Sequence, residues 1–443
     1  MSTALRFGQG PLHDVDLSNP VVHAERDLRP VWRLLRERTP VAWHPPTRGG
    51  PGFWVVTPYR LAIEVFGATD RFTSGHGNNI ATLLHGGDPA GGRMLAVSDG
   101  PRHKQLRREL GRGFTAGALA PYERRIAANI DGLVRDAVAR GDSDFAREVA
   151  RPVPMAVVCD LLRVPEADRP ALYEDASAAL ASEAPVPADL DTRLARNQIL
   201  LYFAKLVRSH QKQEDDLLGL LVRLTETAVE LSEDELLYNC YSVLLGGEET
   251  TRFAMSASVQ ALAQWPGEWR RLVRGEVTVA SAVEELLRWT TVSMHSGRTT
   301  LHDTELGGVP IARDDILTVW NSAANFDAGQ FPHPDRLDLG RDPNRHLSFL
   351  HGPHICPGAR LARLELTALL RALLDHADHW ELTGEPTPVY STFMKGLSGL
   401  PVRFTPRRGP RPRAVQAASS TPTTPSTPTT PTAPSTSFTE GAR

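Results

Sequence analysis

The chain is poor in cysteine. Only Cys159, Cys240 and Cys356 occur in 443 residues, too few for a disulfide framework. None belongs to a CxxC or CxxCH pair, which removes the common zinc ribbons, c-type haem attachment and thioredoxin-like chemistry. Neither sign of charge dominates: 49 Lys and Arg stand against 52 Asp and Glu, a balance that does not suit a dedicated nucleic-acid binder. No run of about 18 apolar residues occurs, so the sequence predicts no membrane span. The opening segment MSTALRFGQGPLHDVDLSNP lacks the apolar stretch of a signal peptide. These absences predict a cytoplasmic protein without nucleic-acid or membrane partners. What is present is ordinary globular usage, with 41% hydrophobic and 23% charged residues, which excludes a wholly disordered or fibrous chain.

Residues Ala418 to Ser437 are all Ala, Ser, Thr or Pro. With nothing bulky and apolar to bury, they cannot offset their ordering entropy and are expected to be disordered. Arg407, Arg408, Arg411 and Arg413 lead into them. Before this tail there is no repeat and no composition break. Helical spacing of apolar residues predicts helices through Leu28–Leu35 and Leu61–Phe66, and around 101–113, 117–140, 165–182, 188–211, 232–264, 278–290 and 357–376. A strand is expected over Gly52–Thr57. A hairpin and short strand are expected between Leu301 and Trp320, followed by an irregular Pro-rich stretch over 326–356. The expectation is a mainly α single domain over 1–408 with a small β portion, and a disordered tail over 409–443.

Three segments carry chemistry. Cys356 lies in Phe349-Leu350-His351-Gly352-Pro353-His354-Ile355-Cys356-Pro357-Gly358, with a helix following. A helix start favours a thiolate, which could be a nucleophile, a metal ligand or an axial haem ligand; a structural cysteine is the plain alternative. Second, Gly246-Gly247-Glu248-Glu249-Thr250-Thr251 interrupts an apolar helix. Two interior glycines cost about 2 kcal/mol relative to alanines, which close approach of a flat ligand would offset. Thr250 falls one turn beyond Gly246 on the same face, and Glu249 beside it offers a carboxylate for proton delivery. Third, Glu285 and Arg288 form an i, i+3 pair.

Together these segments resemble the cytochrome P-450 haem-thiolate monooxygenases in their soluble bacterial form, over residues 10 to 406. The cysteine loop is similar to F-G-x-G-x-H-x-C-x-G, the glycine helix to [AG]-G-x-[DE]-T-[TS], and Glu285 with Arg288 to E-x-x-R, in family order. Pro334-Asp335-Arg336-Leu337 is similar to P-x-R-F. The resemblance implies the cytochrome P-450 fold and haem b, with Cys356 as axial ligand to the iron. It implies O2 as co-substrate and electrons from NAD(P)H through a ferredoxin and ferredoxin reductase. Thr250 and Glu249 would deliver protons; Glu285, Arg288 and Arg336 would form a structural network. His103 and Arg107 match H-x-x-x-R and, with Arg298 and His354, would hold the haem propionates.

Three positions depart from the family pattern. Leu350 replaces the first glycine of the cysteine loop and is expected to force a different φ or to crowd the haem. Leu337 replaces a Phe, and Gly246 stands where Ala is common, which adds room above the iron. Lys104, Arg107, Arg108, Arg112, Arg345, His351, Arg360 and Arg363 would form a basic patch that steers an acidic ferredoxin. By position, the substrate pocket would use the loop around Asn78–Leu84, including Leu83, and the connection Leu180–Pro187. It would also use Leu244, Leu245, Gly246, Val292, Ser293, Met294, His295, Phe393 and Met394; a core or surface role is the alternative for His295. The expected function is oxidation of a C–H bond in a hydrophobic small molecule. The best substrate class is a natural-product scaffold, polyketide, nonribosomal peptide or amino-acid-derived, free or held by a carrier protein. The alternatives are oxidative coupling or cyclisation, a haem-binding scaffold without turnover, and a non-haem metal site from His351, His354 and Cys356.

Overall fold

A computed structural model describes residues 5–47, 50–180, 189–209, 216–227 and 230–409. Of the expected tail only Gly409 is among them; Arg411, Arg413 and Ala418–Ser437 lie outside, as does the connection 181–187.

Apolar spacing becomes helix wherever it runs long enough. Arg29–Arg38, Tyr59–Gly67, Gly100–Leu110, Ala116–Arg140, Arg169–Leu180, Asp189–Ser209, Glu233–Gln264, Val279–Thr290 and Ala359–His376 occupy the expected places. The longest, Glu233–Gln264, starts at a capping box. Ser232 Oγ accepts from the Glu235 backbone N–H, and Glu235 Oε2 accepts from the Ser232 N–H. The same carboxylate takes two hydrogen bonds from Arg102, at 2.7 and 2.6 Å. That bidentate pair fastens Gly100–Leu110 beside the long helix.

Three further helices of eight residues or more were not legible: Pro152–Leu161, Leu217–Leu224 and Pro266–Val273. Two of them open on a proline, which suits the first turn because its missing N–H needs no partner there. At eight to ten residues each, they are too short for a strong period.

The β portion is larger than expected. A five-stranded sheet runs in the order Val41–His44, Phe53–Val56, Ile316–Val319, Ser296–Thr300, Phe72–Thr73. Phe53–Val56 pairs parallel to Ile316–Val319, and the other pairs are antiparallel. Asp142–Asp144, Pro401–Pro406 and Ala377–Leu382 form a second sheet; Thr304–Leu306 with Val309–Ile311 is the expected hairpin. The helical core gathers around Glu233–Gln264, while two smaller cores flank the five-stranded sheet. Among the described residues no helix is long and apolar enough to cross a membrane.

Candidate active site

The cysteine loop is tied at both ends before its helix begins at Ala359. The Cys356 N–H donates to the Phe349 carbonyl at 2.9 Å, and the Leu350 N–H to the Leu347 carbonyl at 2.9 Å. Leu350 has φ +62° and Gly352 φ +69°. The expectation that Leu350 would force another φ is therefore corrected: leucine adopts the left-handed conformation itself, at a cost of about 1–2 kcal/mol. Gly352 has no such latitude, since a Cβ there would lie 2.8 Å from the Phe66 carbonyl oxygen. Burial pushes the Cys356 thiol up, against the pull of the Gly358 and Ala359 N–H groups and of Arg107 and Arg363. The N–H groups of the helix start favour a thiolate, and burial opposes them.

Cys356 faces a cavity of about 1070 Å³. The long helix forms another part of its wall, where Gly246, Gly247, Thr250 and Thr251 are exposed to the space. The two glycines differ. A Cβ on Gly246 would meet nothing within 4 Å, whereas one on Gly247 would lie 2.5 Å from Val158 Cγ2. Gly246 opens the cavity and Gly247 lets a neighbouring helix approach. Thr250 Oγ1 donates to the Gly246 carbonyl at 2.8 Å. Glu249 does not line the cavity: it is fully buried behind Thr250 and ion-paired with Arg252 at 2.5 Å.

His103, Arg107, Arg298 and His354 all reach the cavity. Arg298 is 1% exposed, and among the described residues its Nε and Nη2 have no hydrogen-bond partner, while Nη1 donates to the Gly297 carbonyl at 2.7 Å. Burial pulls this guanidinium down to about 10. His103 and His354 lie with rings 4.2 Å apart. His354 Nε2 bonds Asp99 at 2.8 Å, a carboxylate that also accepts from Thr73 Oγ1 and the Ser74 N–H. Buried, unpartnered cation density beside a cysteine thiol calls for an anionic ligand. Haem, with two propionates and a thiolate-seeking iron, fits that donor set. Among the described residues no three His, Cys, Asp or Glu side chains converge, so His351, His354 and Cys356 do not build a non-haem metal site.

Glu285 and Arg288 are completely buried and pair through two hydrogen bonds of 2.8 Å. The third member is not Arg336, whose side chain is exposed and which offers only its carbonyl. Arg341 takes that place, with Nε 3.0 Å from Glu285 Oε2 and Nη1 donating to the Pro332 carbonyl. In this irregular stretch no period reveals which arginine turns inward.

The pocket residues divide. Leu245, Gly246, Val292 and Phe393 line the cavity, as do Asn78, Asn79 and Ser293. Leu83, Leu244, Met294 and His295 do not; all four are buried in the core. Ile80, Leu84 and Met394 are also absent from the lining. His295 is 0% exposed, accepts from the Ile80 N–H at 3.0 Å and packs on Trp320 and Phe393, so it is a core histidine and no substrate anchor. Asp88 and Arg196 belong to no motif and were not expected here, yet they line the cavity and pair at 3.7 Å. The basic patch is thinned by pairing: Arg108 and Arg112 bind Glu109, Arg363 binds Glu284, and Arg107 faces inward. Lys104, Arg345, His351 and Arg360 remain exposed.

The family model described as Cytochrome P-450 matches residues 276–396, the stretch that holds Glu285, Arg288 and Cys356. Cytochrome P-450 NovI from Streptomyces niveus is 40% identical over 406 residues, covering 91% of this chain and 100% of that protein. The chain belongs to the cytochrome P-450 family. The crystal structure of P-450 OxyD, involved in the biosynthesis of vancomycin-type antibiotics, is 35% identical with TM-score 0.80, covering 89% of this chain and 100% of that one. The P-450 enzyme CxnD, for C–S bond formation in chuangxinmycin biosynthesis, is 28% identical with TM-score 0.76, covering 87% and 98%. This P-450 is thus a haem-dependent monooxygenase that uses O2 and electrons from redox partners, with the fold expected from its sequence.

Proposed function

We propose that this P-450 inserts one oxygen atom into a C–H bond of a natural-product scaffold derived from an amino acid, a nonribosomal peptide or a polyketide. The observation that carries this substrate class is the division of the cavity. The lining holds the apolar Leu245, Ala254, Val292 and Phe393 together with Thr250. Nine residues back along the same helix, about 13 Å at 1.5 Å per residue, Tyr241 stands beside Arg196, which is 5.5 Å from its ring and paired with Asp88. A substrate with an apolar reacting end and a polar far end suits this space better than a uniformly apolar one. The biosynthetic roles of OxyD and CxnD point the same way.

When bound, haem supplies the oxygen chemistry. The chain's own parts are separable. Cys356 would hold the iron. His103, Arg107, Arg298 and His354 would neutralise the propionates. Thr250 presents a hydroxyl at the wall, and Glu249 keeps a carboxyl next to it, out of water. A ferredoxin and its reductase would deliver electrons at the face carrying Lys104, Arg345 and Arg360. A carrier-bound substrate is supported by the helix Asp189–Ser209. Leu194 and Leu201 lie two turns apart on it, 51% and 70% exposed, while Thr192, Arg193 and Arg196 reach the cavity.

The test is a spin-shift titration of the haem-loaded protein. Aminoacyl and peptidyl scaffolds, free and on an acidic carrier protein, are compared with a steroid. Tighter binding of the steroid, and no weakening for the polar scaffolds in Arg196→Ala, would defeat the substrate class. Product mass then separates gain of one oxygen from loss of two hydrogens, the outcome for coupling that CxnD brings into view.

A further inference from the structure

Beside the Cys356 loop lies a side-chain cluster that the proposed function leaves unused. Glu284, from the helix Val279–Thr290, accepts two hydrogen bonds from Arg363 of the helix Ala359–His376. Arg363 Nε lies 2.7 Å from Oε1, and Nη2 lies 2.8 Å from Oε2. His346 adds a third contact, with Nε2 3.3 Å from Glu284 Oε2 and its side chain 2% exposed. The Nδ1 of His346 accepts from the Ser348 N–H at 3.3 Å, so Nε2 is the nitrogen that carries a proton toward the carboxylate. A bidentate pair fixes the plane of a guanidinium. That plane lies over the Phe349 ring, 4.6 Å from its centroid. The His346 ring flanks the same ring at 5.8 Å. Two groups that contact Glu284 therefore hold Phe349.

Phe349 stands where the loop needs a hold. Its ring reaches the cavity that Cys356 also lines, and its carbonyl accepts the Cys356 N–H at 2.9 Å. Just before it the backbone is well tied. The Leu347 N–H donates to Asn325 Oδ1 at 2.7 Å, and Ser348 Oγ donates to the Leu287 carbonyl at 2.7 Å. Just after it Leu350 has φ +62°, a conformation that leucine disfavours. A strained turn so close to the cysteine keeps its path only if its neighbours restrain it.

We propose that Arg363, gripped by Glu284 and His346, is a positioning residue that seats Phe349 against the Cys356 loop and so fixes the thiolate ligand.

A direct charge effect on the sulfur is the rival cause, because Arg363 pulls the Cys356 thiol down. Its charge, however, is matched by Glu284. The two side chains are also 41% and 30% exposed, so water screens the charge that remains. Pairing cancels the field of the guanidinium but leaves its contact with the ring intact.

The test uses the reduced, haem-loaded protein. It measures the haem midpoint potential and the lifetime of the red-shifted carbon-monoxide band in Arg363→Lys, Arg363→Gln and Glu284→Gln. All three release the planar fork from Phe349. Each should shorten the lifetime of the band several-fold and move the potential in the same direction, with Arg363→Lys affected as strongly as Arg363→Gln. In Phe349→Leu, which removes the ring, adding Arg363→Lys should change neither quantity further. A direct charge effect leaves Arg363→Lys silent. It also gives opposite potential shifts in Arg363→Gln and Glu284→Gln, since one removes a positive charge and the other a negative one. That pattern, no change in any variant, or full additivity in Phe349→Leu overturns the proposal. Both quantities are read on the haem-loaded fraction, so a variant that retains less haem still decides. The inference rests on the reading that Cys356 holds the iron. A parent protein without the red-shifted band defeats that reading and this one together, whereas a normal parent with unchanged variants defeats the positioning role alone.

Discussion

At the scale of the residue, the cysteine loop separates a tolerated strain from a forbidden one. Leu350 and Gly352 both have positive φ, but only Gly352 faces a backbone atom at contact distance. Leu350→Gly should relieve about 1–2 kcal/mol of left-handed strain while keeping the path of the loop. The carbon-monoxide band of the reduced protein should stay where it is, and a displaced band would show that the leucine side chain itself shapes the thiolate. Gly352→Ala should instead lower haem retention, because its Cβ displaces the Phe66 carbonyl. The arginines of the Glu285 network give a second contrast. Arg341→Ala removes a partner of a buried carboxylate and should cost about 3 kcal/mol. Arg336→Ala, on an exposed side chain, should stay within about 0.5 kcal/mol of the parent. Urea midpoints of the two variants decide between them; equal losses would restore the assignment made from the P-x-R-F resemblance.

At the scale of the element, the long helix uses its two glycines for different ends, and substitution should separate them. Gly247→Ala drives a Cβ into Val158 and should lower the melting temperature, with partial recovery in Gly247→Ala/Val158→Ala. Gly246→Ala meets no atom and gains about 1 kcal/mol of helix propensity, yet it fills space that the cavity otherwise offers. It should melt higher than the parent and bind bulky scaffolds more weakly in spin-shift titrations. A Gly246→Ala protein that melts lower would refute the open-wall geometry. The same helix shows why the site was only partly legible. Motif spacing brought Cys356, Thr250, His103, Arg107, Arg298 and His354 to one cavity, because each motif is a short rigid piece whose position is fixed by the fold. Adjacent residues of a helix point about 100° apart, so Leu245 lines the cavity while Leu244 is core. Across the turn that leads into Ser296–Thr300, Val292 and Ser293 line it while Met294 and His295 turn away. A run of names from sequence cannot resolve that alternation without the neighbours that decide it.

At the scale of the whole molecule, most helices were legible because each buries a periodic face, whereas the short strands of the second sheet are set by partners far away in sequence. The groups buried by this packing also set how stability depends on pH. His23 and His295 both pack on Trp320, with ring centroids at 5.3 and 4.9 Å. Burial holds them down to about 4 and about 3. As pH falls below the ordinary histidine value of about 6.5, the unfolded chain takes up protons that the folded one refuses, so stability is lost on the acid side. Glu365 has the opposite sign. Burial raises it to about 8, so the folded protein keeps a proton that the unfolded chain releases above the ordinary glutamate value of about 4.3. Its contribution is complete below that value and is lost as pH rises toward 8. The two trends predict a stability maximum between them. Glu365→Gln, which keeps the shape and needs no proton, should flatten the alkaline side and leave the acid side in place. Urea midpoints measured from about pH 5 to pH 8 check both arms. An alkaline slope unchanged in Glu365→Gln would assign that arm to Glu248, another buried acid that burial raises, and a flat profile in the parent would show that neither group carries its proton as the packing requires.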